Sequence, residues 1–114
     1  MLDLDHIAIT VDNLETSIYF YTNFGYKLTA KFEDDGYRWA TLKLNNHSLE
    51  LFENFNKENF DHIAYSYEND KEVYELMESL GYKNHDLATF FGDLNRESFF
   101  IKDKNGKSIQ LIKK

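Results

Sequence analysis

The tetrapeptide Asp-His-Ile-Ala occurs twice, at 5–8 and 61–64, and sets His6 and His62 at the heads of two strand-like runs. A second recurring stretch, Ser48-Leu49-Glu50-Leu51-Phe52 and Ser108-Ile109-Gln110-Leu111-Ile112, places Glu50 and Gln110 at one shared position. Two imidazoles, a carboxylate and an amide oxygen make a donor set for a borderline or hard divalent ion such as Zn²⁺, Ni²⁺, Mn²⁺ or Fe²⁺. Such a set leaves coordination positions open for water or substrate. Gln110 offers only a neutral oxygen and cannot act as a base, so Glu50 is the candidate catalytic residue. The plainer alternative is a degenerate site kept by duplication. Burying two imidazoles and a carboxylate with neither metal nor hydrogen-bond partners would be costly.

The elements that position these residues repeat as well. Displaced by 56, DHIAITVDNLETSIYFYTNFGYK overlays DHIAYSYENDKEVYELMESLGYK without a gap, the mark of an internal duplication. HIAITV and HIAYSY alternate with the period of a strand, so His6, Ala8 and Thr10 share one face and His62, Ala64 and Ser66 its counterpart. A helix follows in each half, capped by Asp12 or Asn13 and by Asn69, and stopped near Gly25 and Gly81. Leu14, Ile18 and Tyr21 keep helical spacing, as do Val73, Leu76, Met77 and Leu80. KLTAKFE, YRWATLKL and SLELFE then read as strands separated by turn-like DDG and NNH. RESFFIKD and SIQLIKK flank Asn105-Gly106, a hairpin signal, and a short strand is expected near 87–91. The chain is thus read as one domain of two βαβββ modules, 1–53 and 60–114, joined by a connector at 54–59.

On this pattern Ser48, Glu50 and Phe52 point away from the helices. Trp39 and Thr41 are expected on the Glu50 face if the hairpin turns at Asn45-Asn46, and Phe99 and Ile101 on the Gln110 face. Trp39, Thr41, Phe52 and Phe99 are therefore either an apolar substrate wall or ordinary core. Arg38 and Arg96 occupy similar places in the two modules. Each could grip a substrate carboxylate bidentately, or pair with a nearby acid such as Glu53 for Arg38. His47 and His85 fall in turn-like stretches and are read as surface residues.

Composition narrows the function classes. With 114 residues, 42% hydrophobic content and eighteen Phe and Tyr, the chain can bury one aromatic-rich core. A net charge of −7 with only two arginines argues against a nucleic-acid partner and suits a small-molecule or cationic ligand. Cysteine is absent, which excludes disulfides and thiolate chemistry. No run approaches membrane-spanning length, and the polar N-terminus does not read as a signal peptide, so a cytoplasmic protein is expected.

The duplicated plan resembles the vicinal oxygen chelate superfamily, which includes glyoxalase I, extradiol dioxygenases, fosfomycin-resistance transferases and metal-free bleomycin-binding proteins. The 5–27 block looks like the family's opening, SLELFE like its glutamate strand, and SFFIKDKNGKSIQLI like its closing block. The resemblance implies an α+β fold in which two βαβββ modules form a curved mixed sheet. It also implies His6, Glu50 and His62 as metal ligands. Gln110 stands where the family usually has a final glutamate, which argues against the dioxygenase and fosfomycin-transferase members. The activity implied is that of a metal-dependent glyoxalase I-like lyase or isomerase, acting on a small α-oxo or hemithioacetal substrate through an enediolate. The alternative is a metal-free, bleomycin-resistance-like binding protein. A homodimer is expected in either case.

Overall fold

A computed structural model describes residues 2–53, 61–83, 90–91 and 96–114. The elements run β1 (Asp3–Val11), α1 (Leu14–Thr22), β2 (Lys27–Asp34), β3 (Tyr37–Leu44), β4 (His47–Glu53), β5 (His62–Tyr67), α2 (Asp70–Ser79), β6 (Phe90–Phe91), β7 (Glu97–Lys102) and β8 (Ser108–Lys113). This is strand, helix and three strands, twice over: an α+β fold of two βαβββ repeats. The expected connector 54–59, His85 and residues 87–89 of the expected short strand lie outside the described residues.

The chain forms two compact units, His6–His62 and Met1–Asp5 with Ile63–Lys114. In the first, the strand order is β2-β3-β4-β1. β3 runs antiparallel to both neighbours, and β1 runs parallel to β4. The β2–β3 hairpin closes at Asp35-Gly36, both at positive φ (50° and 82°), the geometry a two-residue turn needs to match strand twist. Asn13 accepts from the Thr16 amide at 2.9 Å and so caps α1. Leu14 opens that helix fully buried against Ala40, Leu42, Leu49 and Leu51. Each of those leucines contributes roughly 1.5–3 kcal/mol by leaving water.

In the second unit the order is β5-β8-β7-β6, with β7 antiparallel to β6 and β8. The ends of β5 and β8 meet where the amide of Lys114, just past β8, donates to the Tyr67 carbonyl at 2.9 Å. Asn69 caps α2 by accepting from the Glu72 amide at 3.0 Å. Gly81 (φ 93°) ends the helix, and the Tyr82 amide returns to the Met77 carbonyl at 3.0 Å, closing the exposed carbonyls. Val73 and Met77 bury this helix on Tyr67, Phe99 and Leu111.

One register differs from expectation. Asn105-Gly106 predicts a two-residue turn, which would put Phe99 and Ile101 on the Gln110 face. The observed loop spans five residues, because Lys102 pairs with Ser108. Asp103 organises it: its carboxylate accepts from the Asn105 and Lys107 amides at 2.8 Å each, and its own amide donates to the Lys107 carbonyl. A slip of one residue exchanges the faces of a strand. Phe100 therefore pairs with Gln110, while Phe99 pairs with Leu111 and Ile101 with Ile109 on the helix side. Phe99 is a core residue stacked on Tyr74 (5.8 Å, 15°), not a wall of a substrate site.

Candidate metal and active site

His6, Glu50 and His62 all belong to the first unit. Register brings the first two together. In the parallel β1–β4 pair, His6 lies beside Ser48, Ala8 beside Glu50 and Thr10 beside Phe52. Their side chains share the face opposite α1, because Ile7, Ile9 and Val11 alternate onto the helix side and pack on its core. His6 Nε2 lies 3.1 Å from His62 Nε2 and 3.2 Å from Glu50 Oε2. The two imidazoles meet edge to face, 80° apart. His6 is buried and the Glu50 side chain is 18% exposed.

One imidazole nitrogen has a single in-plane site, either a proton or a lone pair. His6 Nε2 faces a second imidazole nitrogen and a carboxylate oxygen at once. Satisfying both with one proton gives a divided, weak hydrogen bond. Donors gathered on a cation with bonds of about 2.1 Å lie about 3.0–3.4 Å apart, so the two measured separations suit that use as well. Among the described residues, no three His, Cys, Asp or Glu side chains are grouped so as to hold an ion as they stand. The fit is thus one of donor type and pair spacing, with His6 as the shared member.

Gln110 belongs to the second unit, is buried, and donates its side-chain amide to Ser98 Oγ at 3.0 Å. That bond fixes the amide with its NH₂ toward Ser98.

Trp39 and Thr41 do share the Glu50 face: Thr41 pairs with Glu50 and Trp39 with Phe52 across β3–β4. Arg38 and Arg96 take the alternative weighed for them and grip protein groups. Arg38 Nη1 donates to Glu53 at 3.2 and 3.3 Å, and its Nη2 pairs with Glu15. Those two carboxylates raise the Arg38 pKa, Glu15 most, and Glu15 is held below its usual range chiefly by Lys31, with Arg38 adding to it. Arg96 donates from Nε to the Lys113 carbonyl at 2.8 Å and from Nη2 to Asp5 at 2.9 Å. His47 is half-buried rather than a free surface group, 2.8 Å from the Tyr26 hydroxyl.

Sequence reasoning missed part of Glu53's role. Its carboxylate is buried and accepts from the Leu14 amide at 2.6 Å, a second cap on α1 besides Asn13. Glu53 and Leu14 are 39 residues apart, so no local pattern could reveal the bond. Only its place three residues after Glu50 offered a hint: one strand carries both the candidate base and the residue that locks the helix behind it.

A family model for the Glyoxalase/Bleomycin resistance protein/Dioxygenase superfamily matches residues 3–111. The chain belongs to that superfamily. Solved structures agree on the vicinal oxygen chelate fold. A hypothetical protein from Bacillus halodurans is similar with a TM-score of 0.75 at 20% identity, over 99% of this chain and 94% of that one. Methylmalonyl-CoA epimerase from Mycobacterium tuberculosis gives 0.71 at 20% identity, over 96% and 86%. A variant of the Streptomyces coelicolor epimerase, in complex with 2-nitronate-propionyl-CoA, gives 0.69 at 22%, over 96% and 95%. Among curated proteins none matches the sequence. At these identities the likeness shows the fold of this superfamily member, not its reaction. No helix among the described residues is long and apolar enough to cross a membrane.

Proposed function

We propose that this superfamily member moves a proton at a carbon next to a carbonyl, in a glyoxalase I-like lyase or isomerase reaction. The substrate class is a small α-oxo, α-hydroxycarbonyl or hemithioacetal compound. His6, Glu50 and His62 would hold a divalent ion, with Gln110, the repeat counterpart of Glu50, as the residue the sequence offers for a fourth donor. When bound, the ion supplies Lewis-acid polarisation of the carbonyl. Glu50 removes the proton from one carbon and returns it to the neighbouring one on the same face. Ala8 and Thr41, both small, flank Glu50 across the sheet. The observation that carries this reading is the position of His6 Nε2 against both Glu50 and His62. The methylmalonyl-CoA epimerases of the same fold widen the substrate class to acyl thioesters, whose α-proton a carboxylate such as Glu50 would also remove.

The test joins metal content with exchange. Purified protein is analysed by mass spectrometry beside a His6→Ala/His62→Ala control, and wild type is compared with Glu50→Gln for solvent-deuterium uptake into hemithioacetal and acyl-thioester substrates. Near-stoichiometric metal lost in the control, with exchange abolished in Glu50→Gln, is the expected result. Full exchange in Glu50→Gln would remove the base from the scheme. Gln110, a neutral amide engaged with Ser98 where the family usually has a glutamate, favours a second reading, a metal-free small-molecule binding protein. Ligand binding indifferent to chelators and to His6→Ala would establish that reading instead. A homodimer is proposed in both cases, and mass measured by light scattering checks it.

A further inference from the structure

We infer that Thr10, Phe52, Trp39 and Phe32 form one recognition row beside Glu50, and that the substrate carries a flat apolar group on its reacting carbon rather than a bare methyl. The inference rests on the proton-transfer reading above and names the substrate class for that same site.

The row follows from register. Thr10 pairs with Phe52, Phe52 with Trp39, and Trp39 with Phe32, so four strands of the first unit contribute neighbouring side chains to one face. The next row on that face is Ala8, Glu50, Thr41 and Ala30. Successive rows on a face lie about 6.7 Å apart. A carboxylate set among two alanines and a threonine therefore stands at the foot of a ridge built from two phenylalanines and a tryptophan. Small side chains beside Glu50 admit a reacting carbon, and the ridge next to them meets whatever that carbon bears.

The ridge is built for a planar face. Phe32 and Trp39 stack at 5.2 Å and 20°. Phe32 stays 46% exposed although it sits on the face that carries the candidate base. Flat aromatic groups add to such a stack with gains beyond area burial. At the other end of the row, the buried Thr10 hydroxyl has no hydrogen-bond partner among the described residues. The oxygen is covered, so Thr10 closes the row as a packed end rather than as a ligand contact.

Trp39 is the only tryptophan in the chain, so its emission reports directly on the ridge. Lactate and mandelate differ at the reacting carbon by methyl against phenyl. Both are titrated against wild type, Phe32→Ala and Glu50→Gln by Trp39 emission, with calorimetry as the second measurement. Mandelate is expected to bind roughly tenfold more tightly than lactate, and Phe32→Ala to weaken mandelate roughly three- to tenfold while leaving lactate unchanged. Glu50→Gln should keep the preference. Equal binding of the two acids, no saturable binding of either, or a preference untouched by Phe32→Ala overturns the inference. Deuterium uptake separates the two readings. Preference without uptake in wild type leaves the ridge standing and removes the proton transfer; uptake into lactate without any preference does the reverse.

Discussion

Replacing Glu53 tests how the first unit holds its helix to the strand that carries Glu50. The carboxylate is 7% exposed, accepts the Leu14 amide at 2.6 Å and pairs with Arg38. In Glu53→Ala the Leu14 amide loses its acceptor in a buried position, and a hydrogen bond to a charged group contributes about 1.5–3 kcal/mol. Arg38 is 30% exposed and keeps Glu15, so its own loss adds little. The expected cost is about 2–3 kcal/mol. For a chain of this length that lowers Tm by roughly 10 °C. Glu53→Gln keeps an acceptor oxygen for Leu14 and loses only the charge, so about 1 kcal/mol is expected. Urea unfolding followed by circular dichroism measures both, and Arg38→Met in each background completes a double-mutant cycle. A merely exposed Arg38–Glu53 pair would cost no more than about 1 kcal/mol and would not distinguish Ala from Gln. Losses that small, or equal losses in the two variants, refute the capping role.

Phe99→Ala should cost about 3–5 kcal/mol in urea unfolding, whereas Phe100→Ala, on the half-exposed Gln110 side of the same strand, should stay within about 1 kcal/mol; the reverse order would restore the two-residue turn. Tyr67→Phe should stabilise by about 1 kcal/mol, because the buried hydroxyl has no partner among the described residues. Burial first, and then Glu97, Tyr74 and Asp70, push the Tyr67 pKa up to about 12. A raised folded-state pKa gives stability that is whole below the unfolded value of about 10 and is lost as pH rises toward 12. Wild type should therefore lose about 2 kcal/mol more than Tyr67→Phe over that window in parallel urea titrations. Asn13→Ala and Asn69→Ala should each cost about 1 kcal/mol of the same measure, their side chains being the caps of α1 and α2.

What could be read ahead of the structure was whatever repeats or alternates. The 56-residue overlay located β1, α1, β5 and α2, and strand periodicity put His6 and Glu50 on one face, because both signals are local and recur. The β7–β8 register was misread for a physical reason. Asn105-Gly106 is a strong two-residue turn signal, but the Asp103 carboxylate satisfies two amides at once and draws the loop out to five residues. A one-residue error of that kind leaves the strand assignments intact and moves Phe99 from the site into the core. Arg38's partner was legible because Glu53 faces it across a hairpin. The Leu14–Glu53 bond, the Arg96–Asp5 bond and the Phe32–Trp39 stack were not, since each depends on how strands distant in sequence, or a bulged pair, come to lie side by side.

His6 and His62 are also the first and last residues of the first unit. Their contact joins positions 56 apart, so the whole βαβββ unit hangs as one loop from a pair of rings. A permanent link across a loop of that length removes unfolded-state entropy corresponding to about 4 kcal/mol, while a lone imidazole pair in water supplies a small part of it. Anything that grips both rings converts the contact into a fastening. The stretch that carries Glu50, Trp39 and their helix would then resist opening as a single piece, and a cation held by both rings would also close the purse string of the unit that houses it.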